Sequence, residues 1–181
     1  MSDTALGSII SPNIRIRYPE YFEVGAYSIV DDFCYFSTKI RIGISCHIAS
    51  GCSIAGGEHF SFEMGDFSSL SSGVKIWCRS NDFVNDLVVI NPPGLGLEDV
   101  QPVEGDVSIG HYTGIGANSV VMPHNCIPEG TVIGALSFVP PAFLFKPWSV
   151  YAGTPIRLIG IRNRDRVLKQ VEQLRDYFHK E

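Results

Sequence analysis

An apolar residue recurs every six positions along most of the chain. The series runs Val24, Val30, Phe36, Ile42, Ile48 and Ile54, then Met64, Leu70 and Ile76, and resumes as Ile109, Ile115, Val121, Ile127, Ile133 and Val139. Four positions after most of these stands a second, usually small residue: Ser28, Cys34, Cys46, Cys52, Ser68, Ser80, Thr113, Ser119, Thr131 or Ser137. A period of six fits neither an amphipathic helix nor a simple alternating strand. It fits a coil in which each hexapeptide forms one short strand and one corner, so that three hexapeptides close a triangular turn. Turns stack at about 4.8 Å, each supplying the backbone partners of the next. Gly often follows the first position, as at Gly25, Gly43, Gly65, Gly110 and Gly134, where a missing Cβ permits a bend and close backbone approach.

The predicted fold is therefore an all-β solenoid, a parallel β-helix of about five triangular turns beginning at Val24, Ile42, Met64, Ile109 and Ile127, with the repeat covering 24–143 and the domain 1–160. Two interruptions fall at the same corner: the short insertion Gly56-Gly57-Glu58-His59-Phe60-Ser61, and a long excursion over about 82–106. Stacking sets them one above the other on a single edge, and loops on a rigid scaffold carry function. After about 160 the pattern changes. Asn163 is placed to cap a helix, and Val167, Leu168, Val171, Leu174 and Phe178 recur at helical spacing, which predicts a short amphipathic helix over 161–181 that braces the coil.

Composition narrows the functional classes. Apolar residues make up 45% and charged residues 18%, which suits one compact, turn-rich β domain. The net charge of −5 argues against a nucleic-acid surface. The chain start shows no basic stretch followed by an apolar run, and no long apolar span occurs, so no membrane crossing and a cytoplasmic location are expected. Five cysteines without C-x-x-C spacing point to neither a disulfide framework nor a zinc ribbon. Three of them, Cys34, Cys46 and Cys52, read as small inward fillers. The five histidines are scattered, so no metal site is expected.

The hexapeptide period, together with the closing run Trp148-Ser-Val-Tyr-Ala-Gly-Thr-Pro-Ile-Arg157, resembles the hexapeptide-repeat acyltransferases, in particular sugar O- and N-acetyltransferases of the maltose, galactoside and xenobiotic type. The resemblance implies a left-handed coil, against the usual right-handed crossover rule. It also implies acetyl-CoA as co-substrate, a sugar-like acceptor that includes nucleotide-linked sugars of surface polysaccharides, and a homotrimer with active sites between neighbouring coils. For the coenzyme, the resemblance points to Gly116, Ala117, Gly134, Ala135, Ala152 and Gly153 as close-approach positions. Lys146, Arg157 and Arg162 are the cations for its phosphates. Ile156 stands where the family often has Ala.

Acyl transfer from a thioester requires a base to unmask the acceptor and donors to steady the oxyanion. Relatives place a His at the entrance to the long loop, where this chain has Asn81. The missing His mildly favours an amine acceptor over a hydroxyl. His59, one turn below with Glu58 beside it, is the best replacement base, and serine acetyltransferases place an Asp-His pair at a comparable corner. A solvent-exposed turn histidine is the plain alternative. Asn81 completes the catalytic set, while Asp82 and His124, on the same corner, are candidates for holding the acceptor. The alternative from a different class is a non-catalytic β-helix module; the γ-carbonic-anhydrase-like proteins, one related possibility, carry three well-placed metal-binding histidines, and the sequence does not show that arrangement.

Overall fold

The computed structural model describes residues 5–81 and 102–178. Asp82 and the interior of the long excursion lie outside the described residues. The six-residue repeat folds into three flat faces of a triangular prism. Face A stacks β1 (Ile9–Ile10), β4 (Ile29–Val30), β6 (His47–Ile48), β8 (Ser69–Leu70), β13 (Gly114–Ile115), β16 (Val132–Ile133) and β18 (Ser149–Ala152), all parallel. Face B stacks β2 (Arg15–Ile16), the first parts of β5 (Tyr35–Ile42) and β7 (Ser53–Met64), then β9 (Lys75–Trp77), β14 (Val120–Val121) and β17 (Phe138–Val139). Face C stacks β3 (Phe22–Val24), the ends of β5 and β7, β12 (Val107–Ile109) and β15 (Cys126–Ile127).

This is a left-handed parallel β-helix of about six turns. The extra turn comes from Ile10 and Ile16, which keep the spacing of six but are followed by Val24 only after a 3-10 turn at Pro19–Tyr21. That turn absorbs two additional residues and hides the register from a search by period.

Inward side chains form dry columns: Phe36, Ile54, Ile76, Val121 and Val139 are all completely buried. Small inward residues pair with corner carbonyls of the next turn, as in Ser28 Oγ to Gly43 O at 2.8 Å and Ser68 Oγ to Gly110 O at 2.9 Å. These are carbonyls that a corner would otherwise bury unpaired. Cys46 follows the same rule toward Gly65 O at 3.2 Å, and burial pushes its thiol up to about 11. Ser80 departs from the expected pattern. It sits in β10 (Arg79–Ser80), which has left the coil to pair antiparallel with β11 (Val103–Glu104). Cys78 occupies the interior instead, fully buried, its Sγ 3.3 Å from Ser61 O and its thiol pushed up to about 12 by burial.

The corner between faces C and A carries an aromatic ladder. Phe67, Tyr112 and Trp148 all adopt left-handed backbone conformations, and their rings follow one another at centroid distances of 6.0 Å. Gly130 lies under Trp148, where a Cβ would come 2.4 Å from the indole. Helix α1 (Arg164–Phe178) runs back along this ladder. Asn163 Oδ1 accepts from the Arg166 N–H at 2.9 Å, Arg164 lies over Trp148, and Arg175 lies over Phe67. Eleven helical residues span roughly 16 Å, close to the roughly 14 Å of the three turn spacings they cover. Ahead of the helix, β19 (Arg157–Ile161) pairs antiparallel with β18 and closes the end of face A. No helix among the described residues is long and apolar enough to cross a membrane.

Candidate active site

The corner between faces B and C is where the chain departs from its period, and the structure shows how the departures are held. In β7 the backbone bulges: Thr38 of the turn below pairs with Gly57 and Lys39 pairs with Ser61, so Glu58, His59 and Phe60 are looped outward. Thr38, 1% exposed, places its hydroxyl 3.0 Å from Gly57 O and 2.5 Å from Phe60 O, the two ends of that loop. Gly57 has φ 85° and open space where a side chain would stand. Glu58 and His59 are exposed at the tip, and neither has a hydrogen-bond partner among the described residues.

The turn above supplies the neck of the long excursion. Arg79 and Glu104 pair across β10 and β11 at 3.2 Å, and Gly105 N donates to Cys78 O at 2.8 Å. Asp106 Oδ1 accepts the Ser61 N–H at 2.7 Å, which ties the short insertion to the end of the long one. One turn higher, His124, with φ 61°, lies against Gly105 so closely that a Cβ there would meet Nδ1 at 2.3 Å. Asn81 is exposed at the neck. Glu58, His59, Asn81 and His124 all lie on this corner, and of the four only His124 lines its cavity of about 540 Å³, together with Phe60, Glu104, Asp106, Ser108 and Cys126.

The residues expected to meet the coenzyme gather on another edge, between faces A and B. Gly116 and Gly134 succeed one another there, and a Cβ on Gly116 would meet Ala135 N at 2.3 Å while one on Gly134 would meet Ala152 Cβ at 2.9 Å. Ala117, Ala135 and Gly153 continue the same column of small groups, and Arg157, paired with Ala152, stands beside it. The small groups Gly116, Ala117, Gly134 and Ala135 leave a strip of main chain, beside the exposed Leu136, that an elongated ligand can lie against, and Arg157 is exposed with no ion pair among the described residues, so these residues fit a coenzyme. Lys146 is separated from them. It sits on the edge between faces C and A, where its backbone N–H donates to Tyr151 Oη at 2.7 Å. Arg162 is occupied, donating to the carbonyls of Tyr112 and Gly130 beside the aromatic ladder.

His47 and His111 have structural partners. His47 Nε2 lies 2.9 Å from Asp31, and His111 Nδ1 accepts the Asp66 N–H at 2.9 Å. Among the described residues no three His, Cys, Asp or Glu side chains are placed to hold a metal ion. Sequence reasoning did not single out Thr38, Lys39 or Asp106. Asp106 ends the excursion as a boundary residue, and only the cross-turn bond to Ser61 marks it.

Coil, interrupted edge and bare edge define the class: a left-handed β-helix acyltransferase. No protein-family profile matches the chain. It is 33% identical over 138 residues to a dTDP-4-amino-4,6-dideoxy-D-glucose acyltransferase of Escherichia coli, covering 75% of this chain and 69% of that one. The chain belongs to the hexapeptide-repeat sugar acyltransferases, coenzyme A-dependent enzymes. Among solved structures, AntD, an N-acyltransferase from Bacillus cereus in complex with dTDP and 3-hydroxybutyryl-CoA, superposes with a TM-score of 0.85 at 30% identity, over 96% of this chain and 90% of that one. A variant of AntD in complex with dTDP-4-amino-4,6-dideoxyglucose and coenzyme A gives 0.84 at 30% identity, over 95% and 89%. A maltose O-acetyltransferase from Clostridium difficile shares the fold, with a TM-score of 0.55 at 22% identity over 89% and 70%.

Proposed function

We propose that this enzyme transfers the acyl group of a coenzyme A thioester to the amino group of a dTDP-linked amino-dideoxy sugar, as a cytoplasmic homotrimer whose active sites lie between neighbouring coils. The observation that carries the reading is the likeness to AntD over 96% of the chain, since AntD was crystallised with dTDP and an acyl-CoA. The cytoplasm suits a chain whose five cysteines are all free thiols.

The geometry of a single coil supports a trimer. The bare coenzyme edge and the interrupted acceptor edge are different edges of the prism, separated by face B. One side of about six residues spans roughly 20 Å, whereas reacting atoms must approach to about 3–3.5 Å. The third edge is covered by α1. The two free edges complete one site when the coenzyme edge of one copy meets the acceptor edge of the next, a head-to-tail contact that closes on itself in a ring.

At that site the acceptor's ammonium loses a proton to a base, His59 in this reading, with Glu58 beside it and Asn81 orienting the sugar. The free amine attacks the thioester carbonyl and forms a C–N bond. The tetrahedral intermediate loses a second proton from its nitrogen, the oxyanion collapses, the C–S bond breaks, and the coenzyme thiolate leaves and takes up a proton, so that amide, free thiol and one proton result. His124, on the same corner, is the further candidate for holding the acceptor in this reading. Incubation with dTDP-4-amino-4,6-dideoxyglucose and acetyl-CoA, or a longer acyl-CoA, is expected to release free thiol and to add one acyl group to the sugar nucleotide by mass. No thiol release with any acyl-CoA would overturn the reading.

A further inference from the structure

The acceptor corner holds opposite charges on alternate turns. Lys39, Ser61 and Asp106 occupy successive turns in register: Lys39 pairs with Ser61, and Ser61 donates its N–H to Asp106 Oδ1 at 2.7 Å. The main chains of Lys39 and Asp106 therefore stand two strand spacings apart, roughly 10 Å. Below the insertion, Lys39 lies over the Tyr21 ring at 5.2 Å, in a cavity of about 210 Å³ that also takes in Arg41, Ser61 and the carboxylates Glu23 and Glu63; Arg41 is paired with Glu23 at 3.2 Å, which leaves Lys39 as the cation there without an ion-pair partner among the described residues. Above it, Asp106 opens into the larger cavity with its second oxygen unpartnered among the described residues, while Glu104 in the same cavity is already paired with Arg79.

We infer that Lys39 and Asp106 are the two specificity-determining contacts of a zwitterionic acceptor, Lys39 meeting the diphosphate of the nucleotide sugar and Asp106 its sugar ammonium. The inference rests on the acceptor class named under Proposed function and adds where its charges lie. In a 4-amino sugar nucleotide the anion and the cation sit at opposite ends of one pyranose ring. Lys39 and Asp106 line two neighbouring cavities on one edge, their main chains two turns apart, so a ligand whose ring lies across Ser61 can place one charge in each. The Ser61 N–H fixes the Asp106 carboxylate, so one oxygen is held in place and the other is left for the ligand, and charge-assisted hydrogen bonds of this kind are the strong ones. A 4-hydroxy sugar offers no cation to Asp106 and gains nothing from it. Tyr21, with its ring beside Lys39, supplies an apolar surface next to the phosphate contact.

Calorimetry with three ligands, dTDP, dTDP-4-amino-4,6-dideoxyglucose and its 4-hydroxy counterpart, tests both contacts. Asp106→Asn keeps an oxygen to accept the Ser61 N–H and removes only the charge. It is expected to erase a preference for the amino sugar of at least about tenfold, with dTDP affinity unchanged within about twofold. Lys39→Met is expected to weaken all three ligands together, by at least about fivefold, and to leave the preference intact. A retained amino-sugar preference in Asp106→Asn, or unchanged dTDP affinity in Lys39→Met, overturns the inference while leaving the acyltransferase reading in place. A wild-type protein that binds none of the three ligands overturns both.

Discussion

Thr38 places one buried hydroxyl 2.5 Å from the carbonyl of Phe60 and 3.0 Å from that of Gly57, closing both ends of the loop that presents Glu58 and His59. Thr38→Val keeps the shape and removes the donor that two half-buried carbonyls share, at a cost of about 1 kcal/mol. It is expected to lower kcat with little change in the KM for acyl-CoA, and Thr38→Ser is expected to restore kcat. Steady-state kinetics alongside thermal melts check this. Equal kcat losses in Val and Ser variants would show that the hydroxyl is not what holds the loop.

His59→Ala should lower kcat by roughly 10²–10⁴, the usual contribution of a positioned base, while acyl-CoA affinity stays near the wild-type value because the coenzyme edge lies across face B. An amine acceptor softens the loss at high pH, where more of it is already deprotonated. Kinetics on His59→Ala and His124→Ala in parallel decide between the two histidines of the corner. A His59→Ala enzyme within about threefold of wild type, beside an inactive His124→Ala, would move the base one turn up.

Core substitutions separate two kinds of buried site. Ile115, 1% exposed, stacks between Leu70 and Ile133, so Ile115→Asp buries an unpaired charge and should abolish folding. Thr131 is fully buried and its hydroxyl has no partner among the described residues. Thr131→Val should therefore be neutral or stabilising by up to about 1 kcal/mol. Differential scanning calorimetry reads both, and a clear drop in Tm for Thr131→Val would mean the hydroxyl is satisfied after all.

The helix-bearing edge is expected to depend on Gly130. Its φ is 70° and Trp148 covers the place of a side chain. Gly130→Ala should cost about 1–3 kcal/mol through backbone strain and displacement of the indole, visible as a lowered Tm and faster amide exchange in α1. An unchanged Tm would contradict the packing of helix on ladder.

The coil was legible because its signal repeats. Val24, Ile42, Met64, Ile109 and Ile127 stack in the column their spacing predicts, and Asn163 caps the helix it was expected to cap. The first turn was not, because Pro19–Tyr21 shifts the phase by two residues. The interrupted corner was also legible, since both insertions fall between the same two faces. Its inner wiring was not. Thr38 and Asp106 act across turns, through contacts 22 and 45 residues away in sequence, and neither sits in a motif. The basic residues near the C-terminus read alike in sequence. Packing divides them: Arg157 stands on the bare edge, Lys146 on another edge, and Arg162 on backbone carbonyls.

The claim that one site is built from two copies has a direct test in complementation. Ala135→Trp obstructs the bare edge at an exposed position and His59→Ala disables the acceptor edge, so each variant alone should release almost no thiol from acyl-CoA in the presence of dTDP-4-amino-4,6-dideoxyglucose. Co-expressed at equal levels, the two should regain about a quarter of wild-type activity, because about one contact in four then joins an intact coenzyme edge to an intact acceptor edge. Thiol release in the mixture no higher than in either parent would contradict a site shared between neighbouring coils.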